Sequence, residues 1–446
     1  MSFTLRAYQS RDVERLRSAY RAGRRAPLYV LPTGGGKTAV FSHIAMGARE
    51  RGRRATILVH RQELLTQASS SLARLGVDHG IISPRYTQSR QAVQIASVQT
   101  LVRRLGQQDP PDLLIVDEAH HATAGSYREI IRAYPKAHVL GVTATPIRSD
   151  GDGLGKEFGG IFDDLILGPT ISELIAAGHL VRPVVHAPPV GADLDGMSLS
   201  MGDYSKRDQA FRMNRPTITG CAIDHYMRLC PGVPAIVFCS GVEHAENVAE
   251  QFRSRGIRAV SVDGGMNDLD RRRAIEGLGN GTVDMLTSAD LIGEGVDVPA
   301  CGAVVQLRRT MSKALWLQQI GRCLRPSEGK ECAYVLDHVG NVDLHGYPTW
   351  DQQWTLEGEE RGEGNGGGGA GGGVKLSQCG NESCMHLFER GPEACPECGG
   401  LLPVKARGAR QVEGELEPVD QEKLRAAREV ARARARARKQ RMEAPA

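Results

Sequence analysis

The stretch PLYVLPTGGGKTAV, residues 27–40, constrains this chain more than any other. A short apolar run reads as a buried strand, three glycines follow, and Lys37 and Thr38 open a helical pattern. Between a strand and a helix, such a loop is a phosphate cradle. Gly34, Gly35 and Gly36, after Thr33, let backbone N–H groups turn inward around a polyphosphate, and the helix N-terminus adds its positive dipole end. Lys37 is placed to reach the β- and γ-phosphates, and Thr38 to offer its hydroxyl to Mg²⁺. The strict pattern asks for glycine at position 31, where this chain has Leu31.

The cradle needs a sheet behind it, and the sequence supplies two. PLYVL, ATILVH, VQIASV, DLLIVD and HVLGVTAT are rich in Val, Ile and Leu without polar alternation, the pattern of strands buried on both faces of a parallel sheet. The same grammar returns in PAIVFCSG, IRAVSVDGG, VDMLTSAD, AVVQLRR and CAYVLDHVG. At 446 residues the chain is too long for one ordinary core. The reading is therefore α/β, with two tandem parallel-sheet units. The first spans 1–210, with a Gly- and Asp-rich connector from about 147, and the second spans 211–345. A Gly-rich linker follows at 346–373, a cysteine cluster at 374–404 and a charged, basic tail at 405–446.

LLIVDEAHH is a buried strand whose polar residues begin at its C-terminal end, the edge where ligands bind in an open α/β sheet. Asp117 there is suited to hold Mg²⁺, and Glu118 to orient or deprotonate an attacking water. The bland alternative for the pair is helix N-capping.

The ordered series PTGGGKT, DEAHH, TATP (143–146), GEGVDVP (293–299) and QQIGRCLRP (318–326) resembles the superfamily-2 helicases of the DEAD/DEAH-box kind, over residues 3–345. The resemblance implies two RecA-like lobes with ATP between them. It makes Arg322 and Arg325 arginine fingers reaching from lobe 2, and puts Gly295, Asp297 and Gln318 near the nucleotide. It casts Gln9, in LRAYQ, as the adenine reader, and His120, Thr143 and Thr145 as couplers of the two sites. It also implies sequence-independent nucleic-acid contacts at Arg61, Gln67, Gln99 and Ser240, with Ser288 or Thr287 as substitutes for the hydroxyl that the family has at position 289. A threonine used for such contact in the DEAD-box branch is replaced by Ala289, and DEAHH is not the DEAD-box RNA signature, which favours DNA. TATPIRSDGDGLG, ELIAAGHLVRPVVHAPP and DHVGNVDLHGYPTWDQQWTLEG narrow the similarity to RadD-like bacterial and phage helicases, linked to DNA repair and recombination.

Cys379, Cys384, Cys395 and Cys398 are spaced C-x4-C and C-x2-C, a set that can close a tetrahedral Zn²⁺ site with no open position. Such a module would dock DNA or a protein partner. The following ARARARAR run, residues 431–438, is either a phosphate-binding arm or a solvated tail paired with the acids before it. Net charge is only +4, so any pull on nucleic acid must come from charge distribution. No secretory h-region and no membrane-length apolar run stands in the sequence, and the scattered remaining cysteines fit a reduced cytoplasm, which the RadD-like resemblance implies is bacterial, the chain being bacterial or phage-encoded. The expected activity is an ATP- and Mg²⁺-dependent DNA helicase or translocase. The alternatives are a nucleotide-switched DNA clamp and an RNA helicase.

Overall fold

The computed structural model describes residues 4–84, 86–87, 89–148, 153–187, 199–200, 203–204, 216–289, 298–357, 376–378, 387–389, 417–418, 421–422, 424–426 and 429. Helix α1 (Ala7–Arg21) leads into a seven-stranded sheet made of β1 (Pro27–Val30), β2 (Ala55–Val59), β3 (Gly80–Ile82), β4 (Val93–Ser97), β5 (Leu113–Asp117), β6 (His138–Thr143) and β7 (Asp164–Leu167). Its order is β3-β4-β2-β5-β6-β1-β7, and every pair is parallel. Parallel neighbours require crossovers, which α2 (Lys37–Glu50), α3 (Gln62–Arg74), α4 (Val98–Arg103) and α5 (Gly125–Ala133) help to provide. Strand β2 shows why both faces are apolar. Ile57 and Val59 pack with Phe41 and Leu65, while Leu58, pointing the other way, packs with Tyr127 and Ile130.

The second sheet belongs to lobe 2. Helix α6 (Ile171–Ala176) precedes β8 (Arg182–Ala187), and a two-residue-strand hairpin, β9 (Leu199–Ser200) and β10 (Asp203–Tyr204), follows it. Then come α7 (Pro216–Leu229), β11 (Ala235–Phe238), α8 (Val242–Ser254), β12 (Ala259–Ser261), α9 (Asp268–Asn280), β13 (Met285–Ser288), β14 (Ala303–Gln306), α10 (Lys313–Ile320), β15 (Cys332–Asp337) and α11 (Asn341–His345). Strand order is β12-β13-β11-β14-β15-β8, all parallel, continued by an antiparallel two-residue strand at Glu417–Pro418. All ten strands expected from the apolar runs are present.

Two boundaries differ from the sequence reading. The lobe border falls between β7 and α6, not at 210. Val184 pairs with Tyr334 of β15, and Leu174 and Val185 lie in the core of lobe 2 with Trp316 and Leu324. The local signal was TISE: Thr170 Oγ1 accepts from Glu173 N at 3.2 Å while Glu173 Oε2 accepts from Thr170 N at 2.7 Å, a capping box that starts a new helix.

The stretch 346–357 is a packed strap, not a linker. Tyr347 is buried and donates to Pro183 O at 3.0 Å, and Ser172 Oγ donates to Thr349 O at 2.7 Å. Trp354 packs against cores of both lobes, and Leu356 O accepts from Gly155 N of lobe 1 at 3.0 Å. Aromatic side chains bury too much apolar area to be left in a tether.

The chain returns to lobe 2 near its C-terminus. Glu417 pairs with Ala187, Leu424 packs on the lobe 2 core, and the Arg425 guanidinium lies 5.6 Å from the Trp350 ring centre. Two short strands, Leu376–Gln378 and Leu387–Glu389, pair antiparallel around the segment holding Cys379 and Cys384. The four clustered cysteines and the arginine run themselves lie outside the described residues. Among the described residues, no group of three or more His, Cys, Asp or Glu could hold a metal ion, and no helix is long and apolar enough to cross a membrane.

Because Trp354 ties the lobes together while only half-buried, Trp354→Ala is expected to cost about 2 kcal/mol, seen as a lower urea midpoint. A wild-type midpoint would mean that the strap bears no load.

Candidate active site

The cradle is built by backbone conformation and close packing together. Gly34 and Gly36 hold φ of 86° and 87°, a left-handed region that strains any side chain. Space is closed as well. A Cβ on Gly35 would stand 2.7 Å from Leu31 Cγ, and one on Gly36 would stand 2.6 Å from Gln9 Nε2. Leu31, fully buried, forms the apolar floor of the loop, which accounts for its place in the pattern. Left-handed glycines on either side of Gly35 and the absence of room for a Cβ leave bare backbone at the start of α2, beside Lys37, so the residues present fit a polyphosphate.

Lys37 is the first residue of α2, and its Nζ lies 3.4 Å from Leu31 O. Burial pulls its ammonium below the ordinary lysine value; Glu118 and Asp117 push it back up, and Arg322 and Arg325 lower it again. Residues far apart in sequence thus share one electrostatic site. Thr38 follows on the same helix turn.

Asp117 ends β5, and both it and Glu118 are buried. Glu118 is the only non-glycine among the described residues with positive φ, at 49°. Its N–H donates to Asp117 Oδ1 at 3.0 Å, holding the turn. A strained conformation at a buried carboxylate marks a position fixed by its surroundings. Glu118 does stand at the start of a 3-10 turn, Ala119–His121, but its side chain makes no cap bond. Its Oε2 is buried without a hydrogen bond, 3.5 Å from His120 Nδ1. Capping is therefore not what the carboxylate does. His120 Nδ1 lies 3.1 Å from Thr143 Oγ1, which donates to Thr145 O at 3.0 Å and accepts from Thr145 N at 3.2 Å.

Lobe 2 closes the site from the other side. Gln318 and Gln319 are buried on α10, and the turn after that helix carries buried Arg322 and half-buried Arg325. A Cβ on Gly34 would meet Leu180 Cδ2 at 2.8 Å and Arg325 Cγ at 3.4 Å. One on Gly321 would stand 2.4 Å from Thr33 Cβ. Sequence reasoning missed Leu180, Gly321 and Lys330. Lys330 Nζ donates to Pro299 O, Cys301 O and Arg325 O at 3.2, 2.6 and 2.7 Å, pinning the turn that presents the arginines. Nothing in its local sequence distinguishes it from a surface lysine.

Gln9 lies beside the cradle, as the LRAYQ segment suggested, with its amide engaged there. Its Nε2 donates to Gly35 O at 3.3 Å and its Oε1 accepts from Arg6 N at 2.9 Å, while Tyr8 Oη donates to Gly35 O at 2.5 Å. Gly295 and Asp297 lie outside the described residues.

The residues expected on a nucleic-acid strand divide by lobe. Arg61 stands at the N-cap of α3, Gln67 lies farther along that helix, and Gln99 is exposed on α4. In lobe 2 the expectation fails for side-chain contact in this conformation. Ser240 is buried with Oγ 2.8 Å from His244 Nδ1, and Ser288 is fully enclosed at the end of β13. Burial holds the His244 imidazole down at about 4, so it stays neutral and accepts from Ser240 N at 3.3 Å. Thr287, the other hydroxyl there, donates to Ala245 O at 2.7 Å. Across the cleft, Arg271 of α9 pairs with Glu63 of α3 at 2.6 Å.

A glycine cradle with its lysine, a carboxylate pair at a sheet edge and arginines from a second sheet define a two-lobed nucleoside triphosphatase. Residues 2–148 match the family described as type III restriction enzyme, res subunit, and residues 222–327 match the helicase conserved C-terminal domain. A 51.5 kDa protein of Lactococcus phage (isolate 7-9) is 31% identical over 399 residues, covering 88% of this chain and 82% of that protein. IRC3 of Saccharomyces cerevisiae, named as a candidate ATP-dependent helicase, is 29% identical over 77% of this chain and 53% of its own length. A fragment assigned to the HsdR subunit of a type I restriction enzyme from Vibrio vulnificus YJ016 shares the fold, with a TM-score of 0.59 at 23% identity over 77% of this chain and 67% of the fragment. The chain belongs to the superfamily-2 DEAD/DEAH-like helicases, which are ATP-hydrolysing enzymes.

Gly321→Ala is expected to force the arginine turn away from Thr33 and to lower the rate of ATP hydrolysis about 10²-fold without unfolding the protein. An unchanged rate in steady-state hydrolysis would show that this contact is not needed for turnover.

Proposed function

We propose that this chain couples ATP hydrolysis to movement along DNA, unwinding or remodelling it without regard to sequence, in the manner of RadD-like helicases of repair, recombination or replication. One observation carries the reading: the arginine turn of lobe 2 packs directly on the P-loop of lobe 1, with Arg325 against Gly34 and Gly321 against Thr33. An active centre divided in this way makes nucleotide occupancy and lobe position the same variable. The DEAHH sequence and the restriction-enzyme descriptions among the similar proteins favour DNA over RNA.

In this account Gly34, Gly35, Gly36 and Lys37 bind the phosphates of ATP, and Gln9 reads the adenine from beside the loop. Thr38 and Asp117 would hold Mg²⁺, which when bound supplies positive charge across the phosphates. Glu118 orients the attacking water and accepts its proton on its carboxylate, which makes no capping bond. Arg322 and Arg325 stabilise charge developing on the transferred phosphoryl group. Gly295, Asp297 and Gln318 complete the nucleotide site, and His120, Thr143 and Thr145 connect it to the strand-binding edge. Arg61, Gln67 and Gln99 contact phosphates there. Ser240 and Ser288 join them only if lobe 2 rearranges.

The C-x4-C and C-x2-C spacing supports a closed zinc site of Cys379, Cys384, Cys395 and Cys398, and the short hairpin around the first pair fits a zinc knuckle. That module and the arginine-rich tail form a second grip, on DNA or on a protein partner. Burial raises the thiols of Cys230 and Cys301, to about 12 and 11, which disfavours the reactive thiolate.

Steady-state ATP hydrolysis, measured with Mg²⁺ alone and with single-stranded DNA, duplex DNA or RNA, tests the reading, with Lys37→Ala as the inactive control. DNA is expected to stimulate hydrolysis strongly and RNA weakly. Stimulation by RNA alone would make the enzyme an RNA helicase. No stimulation by any polymer would leave a nucleotide-switched clamp.

A further inference from the structure

In the parallel sheet of lobe 1, β2 and β5 are hydrogen-bonded neighbours, so their C-terminal ends open on the same edge. His60 follows β2, and the turn of Glu118 to His121 follows β5. Adjacent strand ends thereby bring His60 beside His120 and His121, which lie far along the chain from it. The His60 and His121 rings are 4.6 Å apart at 64°, and those of His121 and His120 are 4.1 Å apart at 44°. At one end of this stack Arg61 Nε donates to His60 Nε2 at 3.4 Å. At the other, His120 Nδ1 stands 3.5 Å from Glu118 Oε2 and 3.1 Å from Thr143 Oγ1.

We infer that His60 and His121 are positioning residues that transmit occupancy of the nucleic-acid edge to the catalytic carboxylate, through the ring stack Arg61–His60–His121–His120–Glu118. The inference rests on the proposed roles of Arg61 and Glu118. A phosphate that takes the Arg61 guanidinium draws it from His60 Nε2, and the imidazole shifts against His121. Rings packed this closely cannot move singly, so the shift reaches His120 and through it Glu118. Glu118 is suited to receive it. Its backbone sits in a strained conformation, and its Oε2 is held by no hydrogen bond. A small displacement at that oxygen changes the alignment of a water far more than it changes stability. No proton need travel along the stack; packing carries the signal.

The test compares wild type with His60→Leu, His121→Leu and His121→Phe. It reads ATP hydrolysis with and without saturating oligo(dT), and binding of the same oligonucleotide by fluorescence anisotropy without nucleotide. Both leucine variants are expected to lose about tenfold in the stimulation factor while binding oligo(dT) as wild type does. His121→Phe, which keeps an aromatic ring in the stack, is expected to retain most of the stimulation. Full stimulation in both leucine variants overturns the relay while leaving the proposed function intact. So does lost stimulation that returns at higher oligo(dT), because the defect would then be in binding. If His121→Leu unfolds, His60→Leu decides alone. Wild-type protein that neither oligo(dT) nor duplex DNA stimulates removes the proposed function, and the relay with it; where duplex alone stimulates, the same comparison is read with duplex.

Discussion

The contact between the P-loop and the turn after α10 organises the rest of the molecule. Gly34 has no room for a side chain between Leu180 and Arg325, and Gly321 has none against Thr33. Glycine on both surfaces lets two backbones approach closely enough for charged groups of one lobe to act inside the other. Each lobe is otherwise self-sufficient, with apolar packing on both sheet faces. Among the described residues, the contacts that join them include this glycine seam, the Glu63–Arg271 pair, Tyr8 packed against both cores and the strap ending in Trp354 and Leu356. That is the economy expected of a hinge, where the interface must be specific and still able to open.

The charge around Lys37 shows what the seam is for. An ammonium, two carboxylates and two guanidiniums are gathered at one partly desolvated place, and burial works against the lysine's charge. Such clusters are poor sources of stability, because the desolvation penalty offsets much of the mutual attraction. Their value lies in preorganisation: charges fixed before a phosphate arrives need not be rearranged during the reaction. The strained Glu118 backbone belongs to the same economy, held by the Asp117 side chain and by the sheet behind it.

Much of this was legible in the residues. Ten buried strands announced themselves as unbroken Val, Ile and Leu runs, since a strand covered on both faces has no polar side to interrupt it. The P-loop and DEAHH were readable because their chemistry is local to a strand end. What escaped was set by long-range packing. Strand β8 carries Arg182, Pro183 and His186 among its apolar residues, so it reads as a connector until β15 is beside it. The 346–357 strap looked like the start of the glycine tether that follows it, although its tyrosine and tryptophans signalled burial. Ser240 and Ser288 stand at strand ends, where exposure is the usual expectation. The helix that covers them brings His244 over the first, which no local pattern reveals.

Single-turnover ATP hydrolysis by Arg322→Ala, with nucleotide binding measured in parallel, tests the shared active centre most directly. The account predicts a loss in rate of about 10³-fold or more with ATP still bound, because lobe 1 retains the cradle and lobe 2 has lost the charge it contributes. Hydrolysis at the wild-type rate in that variant would contradict it: lobe 1 would then be catalytically complete, and the packing of lobe 2 on the P-loop would have no part in the chemistry.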